Sequence, residues 1–239
     1  MEEWFRSWFG PLYEELYSHR DPSEAALQVA SLLFKTGPLT GRVLDAGCGA
    51  GRHLSCLREQ GLSATGIDLS AHLLSRAVQN GRGPVVCADL RHPPFRPGTF
   101  ELVASFFTVF GYLDTARDDE LLFASLASLV SPGGWLYQDL PNPVHVRSHL
   151  VPRDERSIEG GTVVQERRLE GDQVIKTVTL HRGDKPPEQY LERVRLWELR
   201  DMDRLATASG LERVAVMGDA AGSPGTTTSP RQAILWRRA

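Results

Sequence analysis

Three glycines at alternate positions follow an acid in Val43-Leu44-Asp45-Ala46-Gly47-Cys48-Gly49-Ala50-Gly51-Arg52-His53. Glycine tolerates positive φ and lets a ligand lie against backbone where a Cβ would clash. One glycine suffices for a tight turn; three with an acid just upstream make a ligand loop. Two further acids end the next two apolar runs: Asp68 in "GIDLS" and Asp89 in "VVCADL". A carboxylate at the end of a second strand can accept from the two hydroxyls of a ribose. One at the end of a third can accept from an exocyclic amine such as adenine N6. Simpler roles exist for both, Asp68 as a helix N-cap and Asp89 as a turn residue before Pro93-Pro94. Ser70 is better placed than Asp68 to cap. The dinucleotide fingerprint sets its third glycine three residues after the second, and here Arg52 holds that position. The spacing G-x-G-x-G therefore weakens a nicotinamide-dinucleotide reading without removing it.

These residues need a scaffold, and the pattern around them predicts one. From Arg42 to Asp139 short apolar runs alternate with helical stretches. Strands are expected at 42–46, 63–70, 84–90 and 99–107, with helices at 51–61 and 71–81 closed by Gly61 and Gly81. A helix at 118–130 and a turn and strand at 131–141 follow. Continuous apolar strands separated by helices predict a parallel sheet covered on both faces, a doubly wound, Rossmann-like α/β fold. Ligands of such sheets sit outside the carboxyl ends of the strands, where Gly47, Gly49 and Gly51 fall.

The flanks differ from this rhythm. Residues 1–40 predict a helical cap, "WFGPLYEELYSHRD" followed by "PSEAALQVASLLFK", with Asp21 as N-cap and Pro22 at the first helical position. Beyond Pro141, three β-rich runs at 162–169, 173–181 and 189–197 are separated by Gly-Asp turns, predicting an antiparallel insertion over 148–195. A helix at 198–211 and strands at 212–219 and 231–238 then return to the sheet. The expected units are 1–40, 41–147 together with 196–239, and 148–195.

Bulk properties narrow the function class. The 239 residues are 41% hydrophobic and carry a formal net charge of −3, which gives no global positive field for nucleic acid or an anionic membrane. No run approaches the roughly 18 to 20 apolar residues of a membrane span, and "MEEWFRSW" is acidic where a signal peptide is basic. Cys48, Cys56 and Cys87 form no CxxC pair and no metal spacing with histidine. The expectation is a cytoplasmic protein with reduced thiols and no metal centre.

"VLDAGCGAGRH", "GIDLS", "ADLRHPPF" and "FELVASFFTVFGYL" together resemble the first four motifs of class I S-adenosylmethionine-dependent methyltransferases. The resemblance covers about 41–140. It implies a seven-stranded sheet with an antiparallel last strand, and S-adenosylmethionine as cofactor with S-adenosylhomocysteine as product. Asp45, Ala46, Gly47, Cys48, Gly49 and Gly51 would line the methionine end. Asp68 and Leu69 would hold the ribose, Asp89 and Leu90 the adenine, and the backbone of Ser105 and Phe106 would approach the methionine amino group. Such a cofactor has no phosphates, so acids beside the loop suit its cationic groups. More loosely, "PLYEELYSHRDPSEAA", "VQERRL", "YLERVRLWEL" and "GDAAGSPGTTTSPRQAIL" resemble a small-molecule branch similar to the amino-sugar N-methyltransferases, in which a helix and a β-insertion cap the pocket.

Methyl transfer from a sulfonium largely needs positioning, so the lack of a catalytic triad does not exclude catalysis. Candidate groups are Tyr17 and Arg20 on the cap, for the cofactor carboxylate or for catalysis, and His145 past the fifth strand as a general base. Tyr13 and Tyr17, four apart, could equally pack on one helix face. Phe107, Phe110 and Tyr112 are candidates for the acceptor wall or for core. Arg193 and Arg195 share one strand face, whereas Arg167 and Arg168 point opposite ways. An arginine pair turned to the cleft would suit an anionic acceptor; a solvated face paired with Glu166 and Glu192 is the alternative.

The reading is a methyltransferase acting on N or O of a small molecule, monomeric or homodimeric, with neither membrane nor nucleic-acid partner. "NPPY", the tetrad of adenine- and glutamine-methylating branches, is replaced by "SFFTVFGY". The rivals are an NAD(P)-dependent oxidoreductase, a non-catalytic cofactor-binding module, and an enzyme acting on tRNA or protein.

Overall fold

The structure is a computed structural model that describes residues 3–17 and 22–239. The cap contains α1 (Trp4–Trp8), α2 (Pro11–Leu16) and α3 (Pro22–Thr36). The stretch before Pro22, expected as one helical piece, breaks at Gly10. A residue before proline is pushed out of the helical region, and Gly10 is extended at φ −122° with Pro11 opening α2. Asp21, the expected N-cap, lies outside the described residues.

The central region runs β1 (Arg42–Ala46), α4 (Arg52–Glu59), β2 (Ser63–Asp68), α5 (Ala71–Gln79), β3 (Val85–Cys87), β4 (Phe100–Ser105), α6 (Ala116–Leu129) and β5 (Val130–Pro141). After α7 (Pro143–His149) come β6 (Arg153–Ile158), β7 (Gly161–Glu170), β8 (Gln173–His181) and β9 (Glu188–Arg195), then α8 (Leu199–Ala208), β10 (Leu211–Met217) and β11 (Arg231–Arg238).

Seven strands form one sheet in the order β10-β11-β5-β4-β1-β2-β3. β1 lies parallel to β2 and β4, β2 to β3, and β4 to β5, while β11 runs antiparallel to β5 and β10. This is the doubly wound, mostly parallel sheet that the apolar runs predict. Neighbouring residues point to opposite faces, so Leu44 and Val103 pack with Phe123, Leu126 and Trp236, while Val43 and Leu102 pack with Val29 and Leu32 of α3. Strand order reverses at β1, whose neighbours are β2 and β4. A crevice must open there, at the carboxyl ends of β1 and β4.

The second sheet has four antiparallel strands, β6-β7-β8-β9. Three were expected. β6 was missed because Arg-Asp-Glu-Arg-Ser-Ile carries one apolar residue; it is a charged edge strand held by backbone pairing to β7. Trp8 and Leu16 of the cap bury against Val163, Val178 and Leu180 of this sheet. The sheet is tied to the central core through Arg195, which pairs with buried Asp119 of α6 at 2.8 Å and with Asp172 at 2.9 Å. Arg195 is therefore a buried tie, not half of an arginine pair turned to the cleft. Trp197, expected to end β9, lies beyond it and donates to the same Asp119 at 3.3 Å.

Candidate active site

The loop after β1 takes positive φ at each of its three glycines: 78° at Gly47, 52° at Gly49 and 80° at Gly51. The amides of Gly47 and Cys48 donate to Ile67 O, at 2.8 and 3.1 Å, which pins the loop to the end of β2. A Cβ on Gly47 would lie 2.5 Å from both Val109 methyls, so only glycine passes under the segment after β4.

Asp68 reaches back to this loop. Its Oδ2 accepts from Gly49 N and its Oδ1 from Ser70 N, both at 2.8 Å. Ser70 caps α5 by accepting from Leu73 N at 3.1 Å, and its hydroxyl donates to Phe9 O at 2.6 Å, fastening the cap to the loop. Burial pushes the Asp68 carboxyl up from its ordinary value despite these amides. Asp45 is fully buried below the loop, and its Oδ2 has no hydrogen-bond partner. Burial first, then the charge of Asp68, raises its pKa to about 7. On the adjoining strand Ser105 Oγ is also buried and without a partner. The two orphaned polar groups lie on opposite faces of the sheet near the strand ends that open into the crevice.

Above them lies a cavity of about 900 Å³ whose wall includes Gly47, Cys48, Gly49, Asp68, Leu69, Asp89, Leu90, Phe106 and Tyr17. Asp45, Ala46, Gly51 and Ser105 support the wall without forming it. Asp89 is engaged by Arg91, whose Nη2 lies 2.6 Å from its Oδ2, and Arg91 also grips Glu3 of the cap at 2.6 Å. Arg91 holds the Asp89 carboxyl below its ordinary pKa. The expected adenine ligand is therefore also a latch point for the cap.

The opposite wall is built by Asp139, a fourth acid ending a strand and one that the sequence reading passed over. Phe107 and Thr108 follow β4 with φ of 59° and 62°, a left-handed pair without glycine. Asp139 holds this turn: Phe107 N donates to its Oδ2 at 3.0 Å and Thr108 N to its carbonyl at 2.9 Å. Arg231 adds an ion pair to Asp139 at 2.7 Å and a bond to Thr108 Oγ1 at 3.0 Å. Gln28 of α3 donates to Asp139 at 2.8 Å and accepts from His53 at 2.9 Å, and the His53 ring stacks on Phe106 at 4.2 Å. Buried polar groups held from four elements fix this wall.

A second cavity of about 250 Å³ adjoins the first, sharing Phe9, Tyr13, Tyr17, Phe107, Thr108 and Tyr112. Tyr17 belongs to both, and its hydroxyl accepts from buried Lys176 Nζ at 2.8 Å. Phe110 is core, packed against Phe123 and Trp197.

Two expected groups do not join the site. His145 lies on α7, outside the linings of both cavities, with Nδ1 3.0 Å from Thr228 O; the turn of α7 faces Val146 and Leu150 inward instead. His145 is therefore not positioned to act as a base at either cavity. Arg20 lies outside the described residues. Arg168 pairs with Glu170 on the surface, and Arg167 with Asp154. Glu166 pairs with Arg153, and Glu192 with Lys176. Among the described residues no cluster of three His, Cys, Asp or Glu could hold a metal ion, and no helix is long and apolar enough to cross a membrane.

Residues 44–138 match the family model described as "Methyltransferase domain". A curated relative, the dTDP-3-amino-3,4,6-trideoxy-alpha-D-glucopyranose N,N-dimethyltransferase of Streptomyces venezuelae, is 29% identical over 62% of this chain and 65% of its own. The ubiquinone biosynthesis O-methyltransferase of Bordetella avium is 33% identical over 42% of this chain and 43% of its own. The chain spans less than two thirds of the length of these relatives. Among solved structures, a SAM-bound amino pentose methyltransferase from Micromonospora echinaspora superimposes with a TM-score of 0.72 at 21% identity, covering 95% of this chain and 97% of that one. Residues 44–138 thus resemble a methyltransferase domain, and the chain carries the fold of the solved S-adenosylmethionine-dependent methyltransferases.

Proposed function

We propose that this chain binds S-adenosylmethionine in the larger cavity and directs methyl transfer to an amine nitrogen of a small, sugar-like acceptor. The observation that carries the reading is the set of acids at or just past the ends of β1, β2 and β3, Asp45, Asp68 and Asp89, beside a G-x-G-x-G loop at the sheet's switch point. Asp45 leaves an orphaned carboxylate oxygen below that loop, which fits a ligand with cationic groups. A pyrophosphate at the loop would meet the Asp68 carboxylate, which disfavours a nicotinamide dinucleotide.

The bound cofactor supplies a methyl group already activated on a sulfonium. The chain's part is to bind, orient and exclude water. Asp68 fixes the loop and keeps lone pairs for ribose hydroxyls, while Leu69 and Leu90 flank the adenosine end. Trp4, Phe9, Tyr13 and Tyr112 pack edge to face as a roof: Trp4 with Tyr112 at 5.2 Å and Phe9 with Tyr13 at 4.9 Å. Trp4 Nε1 donates to Tyr112 O at 3.2 Å, closing cap against body.

Two similar proteins, one an N,N-dimethyltransferase of an amino sugar and one an amino pentose methyltransferase, favour nitrogen and a sugar-like acceptor. Arg195, locked to Asp119 and Asp172, lends an anionic acceptor no support, whereas Arg167 lines the smaller cavity. Three free thiols suit a reducing cytoplasm. Isothermal titration tests the donor: S-adenosylmethionine and S-adenosylhomocysteine should bind and NADH should not. Binding of NADH alone would overturn the reading. Cofactor binding without transfer to any amine would leave a non-catalytic module.

A further inference from the structure

We propose that Glu3, outside the larger cavity, tunes the preference for adenine inside it, by holding Arg91 so that Arg91 aims Asp89 at the 6-amino group. This rests on the methyl-donor reading of that cavity.

One guanidinium serves two carboxylates. The Arg91 amide donates to Asp89 Oδ1 at 2.9 Å, and its Nε lies 3.0 and 3.1 Å from the two oxygens. Arg91 Nη2 reaches Asp89 Oδ2 at 2.6 Å. The other edge of the fork donates to Glu3, Nη1 to Oε1 at 2.6 Å and Nη2 to Oε2 at 3.2 Å. Arg6 of α1 closes the ring of charges, 2.7 Å from Glu3 and 3.7 Å from Asp89. The four side chains alternate in sign and Arg91 grips both acids bidentately, the arrangement in which partly exposed ion pairs hold. Ser125 of α6 fixes the same turn by donating to Leu90 O at 3.1 Å.

Arg6, Asp89, Leu90 and Arg91 line the larger cavity, and Glu3 lies outside its wall. Glu3 therefore acts on a ligand there through the arginines. Arg91 places three donors on a carboxylate with about four acceptor sites, which leaves Asp89 room for one more N–H. That remaining site suits an exocyclic amine. An arginine side chain loses much rotamer freedom when held in one pose. With Glu3 in place this loss occurs when the cap docks, so Asp89 is already aimed when the cofactor arrives. Cap docking and the adenine contact thereby strengthen each other.

A second cap tie supplies the control. Glu14 of α2 pairs with Arg76 at 2.8 Å and with His72 at 3.1 Å, both on α5. Loosening it frees the cap and leaves the aim of Asp89 intact.

The test is titration calorimetry on the whole protein with S-adenosylhomocysteine and its 6-deamino analogue, in which hydrogen replaces the adenine amine. Wild type should prefer the amine by about tenfold or more, the scale of a hydrogen bond to a charged group. Glu3→Gln should reduce that preference about fivefold, the lower end of coupling between linked sites, by weakening S-adenosylhomocysteine more than the analogue. Arg91→Lys, which keeps the charge and loses the fork, should reduce it as well. Glu14→Gln should shift both ligands by one factor and keep the preference. No preference in wild type, an unchanged preference in Glu3→Gln, or an equal loss of preference in Glu14→Gln would overturn the assignment. Absence of S-adenosylhomocysteine binding by wild type would instead overturn the donor reading beneath it.

Discussion

Asp139 and Arg231 meet across the ends of β5 and β11 at 2.7 Å, and the same carboxylate accepts from Phe107 N at 3.0 Å. One buried acid thus joins the antiparallel last strand to a left-handed turn between the two cavities. The Arg231 guanidinium also lies 5.4 Å from the Phe107 ring centroid. Breaking a buried pair from one side strands the other charge, so Asp139→Ala should destabilise the fold by about 3 kcal/mol or more. Asp139→Asn keeps the shape and an acceptor and should cost less. Urea denaturation of both variants measures the difference, and equal stability of Asp139→Ala and wild type would contradict it.

Asp68 serves the loop and the ligand together. Asp68→Ala removes the acceptor of Gly49 N and Ser70 N and the expected ribose contact. Cofactor affinity should fall by about 1.5 to 3 kcal/mol, roughly 10- to 100-fold, as for loss of a hydrogen bond to a charged group. Unchanged affinity in calorimetry would remove Asp68 from the site.

Asp45 should give stability a distinct pH dependence. Its carboxyl titrates near 7 in the fold, against 3.8 as the ordinary value. The folded state therefore holds a proton that the unfolded state has lost. The stabilisation is complete below the ordinary value and disappears as pH rises through about 7. Across that window wild type should lose stability relative to Asp45→Asn, by up to about 4 kcal/mol at 1.4 per unit. A cationic ligand beside Asp45 favours its ionised form, so binding near pH 6 should release a proton. Calorimetry in two buffers of different ionisation enthalpy reads that release; identical enthalpies, or parallel stability curves, would refute the role.

Gly47 and Gly61 share φ near 80° but differ in surroundings. A Cβ meets Val109 at 2.5 Å in the first and nothing within 4 Å in the second. Gly61→Ala should cost only the left-handed backbone term, about 1 to 2 kcal/mol, with cofactor affinity intact. Gly47→Ala must also displace Val109 from the cavity wall and should weaken cofactor binding. Equal binding by both variants would show that the close approach is unimportant.

Much of this arrangement was legible before any coordinates. Uninterrupted apolar runs predict the doubly wound parallel sheet, the family resemblance implies its seven strands, and acids at strand ends mark its crevice. Asp139 carried the same signal in "YQDLP" as Asp68 does in "GIDLS", and could have been read from it. Other features had no local signal. His53, Gln28, Asp139 and Arg231 are far apart in the chain and meet only through strand order. A row of Arg167, Lys176 and Glu192 exists only in the register of β7 to β9. His145 looked well placed because it follows a strand end, yet the unread helix α7 turns it aside. Arg195 looked like a cleft cation because alternation assigns a face without saying what that face packs against.

The central claim is transfer of a methyl group to an amine, and mass spectrometry of the acceptor tests it most directly. Incubated with S-adenosylmethionine and a panel of amino sugars, the protein should yield an acceptor heavier by one or two methyl groups, with the hydroxyl counterparts unchanged. Binding of the cofactor with no gain in mass on the amine, or a gain on the hydroxyl sugar alone, would contradict the account.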